Sequence, residues 1–204
     1  VFGPSLVRHL TMASLFDKLE SEAFRKGLVA RSKEANNWFS KNVKKLGPLG
    51  KRVLKDDRLV TRQSAKTGEM VMYTYNPKLK KTLPYYDTFP LTIVVGKAPD
   101  GFYGINLHYL PPKIRAIFLD NLNNIANNQK FNITTKFKIT YNLLKATKNY
   151  KYFKPCFKHY LTANVSSKIM KVPASEWNIA IFLQTASFKK ASEGKVWADS
   201  RKQY

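Results

Sequence analysis

The sequence predicts an α+β protein: a small antiparallel β-sheet, either open or folded as an SH3-like partly open barrel, with flanking helices and basic helical N- and C-terminal arms. Two observations lead there. Strand-like apolar runs crowd the middle of the chain, while stripes of helical period lie before and after them. The charge divides in the same way. Residues 1–68 hold 15 basic and 6 acidic groups, residues 69–129 hold 6 and 4, and residues 130–204 hold 15 and 3. A nearly neutral centre between cationic ends suggests a structural core with charged arms. The expected division is a basic N-terminal helical arm over 1–68, an α+β core domain over 69–190 and a basic C-terminal tail over 191–204.

Ser14 is placed to cap a first helix, with Asp17 at its third position as in a capping box. Leu15, Leu19, Ala23 and Lys26 share one face of it, with Phe16 and Phe24 beside them. The pattern can be followed through Ala30, Ala35, Trp38, Phe39 and Val43 to the breaker Gly47-Pro48-Leu49-Gly50, giving one long basic helix. Residues 51–68 are basic and irregular. Residues 70–75 read as a strand closed by Asn76-Pro77, residues 91–95 as a second and residues 102–110 as a third. Asp100-Gly101 is a good turn pair, so the last two form a hairpin. Pro111-Pro112 opens a helix with Ile114, Ile117, Phe118, Leu122 and Ile125 on its apolar stripe. Asn121, Asn123, Asn124, Asn127 and Asn128 cover its exposed side and end. Thr134 or Thr135 caps the next helix, whose stripe is Phe137, Tyr141 and Leu144. Residues 177–183 alternate as a late strand, although Ser175 and Glu176 would also start a short helix. Beyond Ser187 the tail is amphipathic, anchored by Val196 and Trp197.

The 204 residues carry 36 Lys+Arg against 13 Asp+Glu, a net charge of +23, with a pI near 10.1. A compact protein that repels itself this strongly usually has a polyanion for a partner, most often the phosphates of nucleic acid. Only 8 of the 36 bases are arginine. Lysine meets phosphate as a point charge, whereas the arginine fork suits bidentate reading of guanine edges. DNA held by its backbone, with little sequence read, is the expected partner. Candidate contacts are Arg25, Lys26, Arg31, Lys44 and Lys45 in the N-terminal arm, and Lys78, Lys80 and Lys81 after the first strand. A third group is Lys136, Lys138, Lys145, Lys148, Lys151, Lys154 and Lys158. Tyr150, Tyr152 and Phe153 interleave with that group and are candidates for stacking on exposed bases, although large aromatics more often fill a core.

With 44% hydrophobic residues the chain has material for a packed interior. No run approaches the roughly eighteen apolar residues of a membrane span, and the opening six residues are too interrupted for a secretory signal, so no membrane partner is expected. Cys156 is alone, which suits a reducing compartment such as cytoplasm, or a particle assembled there.

Signals for catalysis are poor. There is no phosphate-binding glycine loop ending in Lys-Ser/Thr and no dinucleotide fingerprint. Cys156 and His159 have a metal-compatible spacing but lack a second pair of ligands. Pro99-Asp100 with Glu193-x-Lys195 is the pattern of a magnesium-dependent nuclease. However, 6 glutamates among 28 lysines make a chance Glu-x-Lys unsurprising, and 13 scattered acids offer few clustered carboxylates. The expectation is a binding protein, not an enzyme, with no cofactor and no metal.

Several short segments together resemble a known family: Tyr73-Thr74-Tyr75-Asn76-Pro77-Lys78, Leu83-Pro84-Tyr85-Tyr86-Asp87, Phe89-Pro90-Leu91, and the run from Gly101 to Pro111. Further on come Tyr152-Phe153-Lys154-Pro155-Cys156, Val172-Pro173-Ala174-Ser175-Glu176-Trp177 and Val196-Trp197-Ala198-Asp199-Ser200-Arg201. From Met12 to Arg201 the chain is similar to the DNA end protector proteins of T4-type tailed phages. The resemblance implies a virion protein, assembled in host cytoplasm, that caps the packaged genome's end against host exonuclease. It also implies association with head completion and portal, neck or tail subunits. No catalytic motif and no residue-level DNA contact comes with it. The alternative is a structural neck, tail or baseplate component, docking through Pro84-Tyr85-Tyr86-Asp87 and Phe89-Pro90.

Overall fold

Leu91–Ala98 (β4) has an apolar run that strand geometry buries on both faces. Leu91, Ile93 and Val95 enter a large core, while Val94 enters a smaller cluster on the other side. The computed structural model describes residues 15–29, 32–43, 61–62, 64–147 and 151–202. Around β4 they form a six-stranded sheet in the order β1-β7-β2-β4-β5-β6, every pairing antiparallel. The other members are Thr61–Arg62 (β1), Met70–Met72 (β2), Gly101–Asn106 (β5), Phe157–Leu161 (β6) and Ile169–Val172 (β7). Tyr86–Asp87 (β3) and Phe188–Lys189 (β8) make a separate two-stranded pair.

The β4–β5 hairpin forms as expected, with Ala98 opposite Gly101. At Gly101 a Cβ would collide with the Tyr160 carbonyl, so glycine there lets β5 and β6 meet. Among the described residues the sheet does not close into a barrel: β1 and β6 are its edges and do not pair. Closure requires strands long and tilted enough to bring the two edges together, and β1 has two residues.

The helices are Leu15–Arg25 (α1), Lys33–Val43 (α2), Pro112–Asn127 (α3), Ile133–Thr147 (α4), Trp177–Ala180 (α5) and Glu193–Lys202 (α6). Among the described residues their buried apolar side chains, such as Leu19, Ala23, Ala35, Phe39, Phe118, Leu122, Leu144, Ile179 and Val196, join the large core. The opposite sheet face holds Val71, Tyr73, Tyr75, Phe102, Tyr160 and Ile169, with Ala65 and Val165 packed against them.

Several expectations are corrected. The long N-terminal helix is two helices. Gly27 takes φ +70°, its N–H donates to the Phe24 carbonyl (2.9 Å), and the Leu28 N–H donates to Ala23 (3.1 Å). That hydrogen-bond pair is the Schellman stop, and Ser32 then caps α2 by accepting from the Ala35 N–H at 3.0 Å. The proposed cap at Ser14 and the breaker at Gly47 lie outside the described residues, as does most of the irregular 51–68 stretch; Thr61 and Arg62 in it form β1. On α3, Ile117 is half exposed, whereas Asn123 is buried with its amide donating to the Asn178 side chain at 3.2 Å. α4 is capped by Asn132, whose Oδ1 accepts from the Thr135 N–H at 2.8 Å, and not by a threonine. Residues 177–183 begin as a short helix rather than a strand. Strands β6 and β7 had no counterpart in the sequence reading. Val196 is buried and Trp197 is packed against the core, as the tail's pattern foretold.

Candidate nucleic-acid interface

Asn76-Pro77 ends the β2 segment, and the chain turns through residues 77–83 before returning as β3. The turn is held by its own backbone, with the Leu83 N–H on the Leu79 carbonyl at 3.0 Å. A second restraint comes from far along the chain. Lys190 takes φ 69°, and its Nζ donates to the carbonyls of Lys80, Lys81 and Leu83 at 2.7, 3.0 and 2.9 Å. A cation on a cluster of outward carbonyls satisfies them as at a helix C-terminus. The loop therefore presents Lys78, Lys80 and Lys81 outward, all exposed, from a fixed backbone.

Between this loop and β6 lies a cavity of about 320 Å³. Tyr75, Tyr85, Tyr86, Tyr109 and Tyr160 line it, with Lys78 and Lys158 as its cations. Lys158 stands opposite Gly104 in the β5–β6 register, and its Nζ sits 4.2 Å from the centre of the Tyr109 ring. Among the described residues no carboxylate oxygen lies within 4.0 Å of that ammonium, which faces the ring instead. Burial lowers the Lys158 pKa from its ordinary value, and burial raises the hydroxyls of Tyr85 and Tyr109.

The cavity floor is held by a polar network. Asp87 Oδ1 accepts from the N–H groups of Phe89 (2.9 Å) and Ser187 (3.1 Å). Its Oδ2 accepts from Asn106 Nδ2 (3.1 Å) and lies 2.6 Å from His108 Nδ1. Burial alone would push the Asp87 carboxyl up; His108 and these hydrogen bonds outweigh it, and the pKa is lowered. His108 Nε2 in turn meets Thr185 Oγ1 at 3.1 Å. A carboxylate, imidazole and hydroxyl in line could serve acyl transfer, but His108 and Thr185 are both 0% exposed. The line ties β3, the end of β5 and the 185–187 segment together. Arg115 is a second tie. It is buried, donates to the carbonyls of Leu110, Ile181 and His108, and lies 5.6 Å from the Trp197 ring; burial lowers it to about 10.

The fold thus brings Lys78 and Lys158 to one cavity, with Lys80 and Lys81 on the loop beside it. It sets the other sequence candidates elsewhere. Lys138 and Lys145 are exposed on α4 and Lys136 is half-buried there; Lys154 is exposed in the 3₁₀ turn Lys151–Cys156. Arg25 and Lys26 are exposed at the end of α1. Phe153 is half-buried against Phe118, ring centres 4.9 Å apart, so it packs on the core. Arg31, Lys44, Lys45, Lys148 and Tyr150 lie outside the described residues, as do the side chains of Lys151 and Tyr152.

Sequence reasoning missed Tyr109 and Lys190, and it read Tyr85 and Tyr86 only as a docking surface. No local pattern marks them, since their roles arise from contacts across the fold. Cys156 is buried and its thiol pushed up to about 12 by that burial. His159 pairs instead with Asp100, at 2.8 Å. Among the described residues no group of three or more His, Cys, Asp or Glu could hold a metal, and no helix is long and apolar enough to cross a membrane.

Fold and site together define a small basic α+β protein with outward lysines and a tyrosine-lined cavity whose ammonium faces the Tyr109 ring, chemistry suited to an anionic ligand. The chain matches the model of the phage T4 terminal DNA protecting protein over residues 7–202, and it belongs to that family. No curated protein and no solved structure matches it.

Proposed function

We propose that the chain is a virion protein that binds DNA without sequence specificity, caps the end of the packaged genome and shields it from host exonuclease around head completion. The observation that carries this reading is the family match, which spans nearly the whole chain. The charge supports it: 28 lysines provide backbone contacts that any terminal sequence can satisfy. Lys136, Lys138, Lys145, Lys154 and Lys158, with Lys78, Lys80, Lys81, Arg25 and Lys26, are the phosphate contacts among the described residues. The basic flanks 1–68 and 191–204 carry cations on the outside of helices whose apolar faces join the core, and portal, neck or tail subunits are its protein partners. It acts by binding, as a shield and not as a nuclease.

The test is protection of blunt linear duplex from a processive exonuclease. A capping protein leaves the substrate intact, whereas a neck or baseplate part lets it be degraded. Binding should also fall steeply with salt. Six to ten phosphate contacts would weaken affinity by about 10³–10⁵ between roughly 50 and 200 mM. A flat response in anisotropy would overturn the phosphate-contact reading.

A further inference from the structure

We propose that the cavity between the 77–86 segment and β6 receives the terminal nucleotide of a DNA strand, its phosphomonoester against the Lys158 ammonium and its base against the tyrosine rings. The inference rests on the end-capping reading and adds a site to it.

Size is the first argument. About 320 Å³ lies at the small end of ligand pockets, room for one nucleotide and far too little for a duplex. Only a nucleotide withdrawn from the stack can enter, and one at a chain end unstacks most easily because it has a single neighbour and one covalent connection.

Charge is the second. A half-buried ammonium that faces a ring and no carboxylate is electrostatically incomplete. A terminal phosphomonoester brings about −1.5 to −2 charges and three acceptor oxygens, where an internal diester brings one. Dehydration that penalises Lys158 when empty strengthens its attraction to such a group. Asp87, the carboxylate lining the cavity, is already engaged by four donors and does not compete for the ammonium.

The surroundings agree. The half-buried Tyr85 and Tyr86 rings offer surface on which any base can stack, as an end-binder indifferent to sequence requires, while Tyr75, Tyr109 and Tyr160 are buried in the cavity wall. Lys78 lines the same cavity, and Lys80 and Lys81 stand on its loop, placed for the next phosphates along the strand. Lys190 holds that loop through three carbonyls, so the site is formed before DNA arrives.

The experiment measures anisotropy of short blunt duplexes that differ only at their ends: 5′-phosphate, 3′-phosphate, hydroxyl at both positions, and a closed dumbbell with no ends. The proteins are the unaltered chain, Lys158→Met, Tyr85→Ala and, as a surface control, Lys97→Met. The unaltered chain should bind one phosphate-bearing end about tenfold more tightly than hydroxyl ends, and which phosphate wins identifies the strand polarity. Lys158→Met should erase that preference while its melting temperature holds or rises, because it removes a half-buried charge that faces no carboxylate. Tyr85→Ala should weaken all open ends alike, and Lys97→Met should leave the preference intact. If the unaltered chain ignores end phosphates, or Lys158→Met keeps the preference, the pocket assignment fails while end capping stands. If the dumbbell binds as well as open duplex, end capping itself fails. Should Lys158→Met not fold, deoxyadenosine monophosphate is added to the unaltered chain. Competition with phosphorylated ends supports the site, and none at saturating nucleotide overturns it.

Discussion

Asp87 accepts from three donors besides His108: the N–H groups of Phe89 and Ser187 and the Asn106 amide. Removing the carboxylate would take that partner from the Phe89 and Ser187 N–H groups, the Asn106 amide and His108 Nδ1, while His108 Nε2 keeps Thr185. Breaking a buried pair in this way costs about 3–5 kcal/mol, so Asp87→Ala should lower the urea midpoint by that equivalent. The lowered folded-state pKa adds a pH signature. The stability Asp87 contributes is present above its unfolded pKa and is lost as pH falls through the folded value. Unaltered protein should therefore lose stability on acidification below about pH 4, more steeply than Asp87→Ala, which has no such group to protonate. Equal acid slopes would show that Asp87 is not the group responsible. Little of this was legible in the sequence. His108 stood there as one of three scattered histidines, and nothing local pairs it with a residue 21 positions earlier.

The N-terminal helices show what an element-level pattern conveys and what it omits. Leu19, Ala23, Ala35 and Phe39 of the apolar stripe do face the core, whereas Phe24, set beside that stripe, is 80% exposed. The interruption went unread, because one glycine inside a helical pattern is tolerated often enough to read through. Its role is conformational: no atom lies within 4 Å of the place a Cβ would occupy at Gly27, but φ there is +70°. Gly27→Ala should thus cost about 1–2 kcal/mol through the left-handed backbone alone, seen as a lower urea midpoint with unchanged helical circular dichroism. A rise in helix content would mean that α1 and α2 fuse into one. Strands β6 and β7 escaped notice for another reason. Lys158 and His159 break the polar–apolar alternation of β6, since a lysine occupies the sheet face shared with Tyr160. β7 has four residues, too few for a period to be read.

Across the whole molecule, 36 cations against 13 anions mean that folding gathers like charge. Screening relieves that repulsion: the Debye length shrinks from about 30 Å at 0.01 M salt to about 8 Å at 0.15 M. The melting temperature should rise over this range while DNA affinity falls. The opposite responses distinguish a charge surplus kept for a polyanion from one already neutralised within the fold. A melting temperature that does not move with salt would count against self-repulsion at this scale.

Composition and short-range pattern determined the charge, the α+β class, the β4–β5 hairpin, the anchors of the last helix and the family likeness. These depend on residue type and near-neighbour spacing, which a linear reading contains. Tertiary structure decided the open sheet, the burial of Arg115 and the meeting of Lys158 with Tyr109 in a cavity that Tyr85 also lines. Antiparallel pairing fixes which side chains share a face only once strand order is set, and that order puts β6 beside β5. The same lysine that looked like one of many solvated charges thereby became the cation of a cavity.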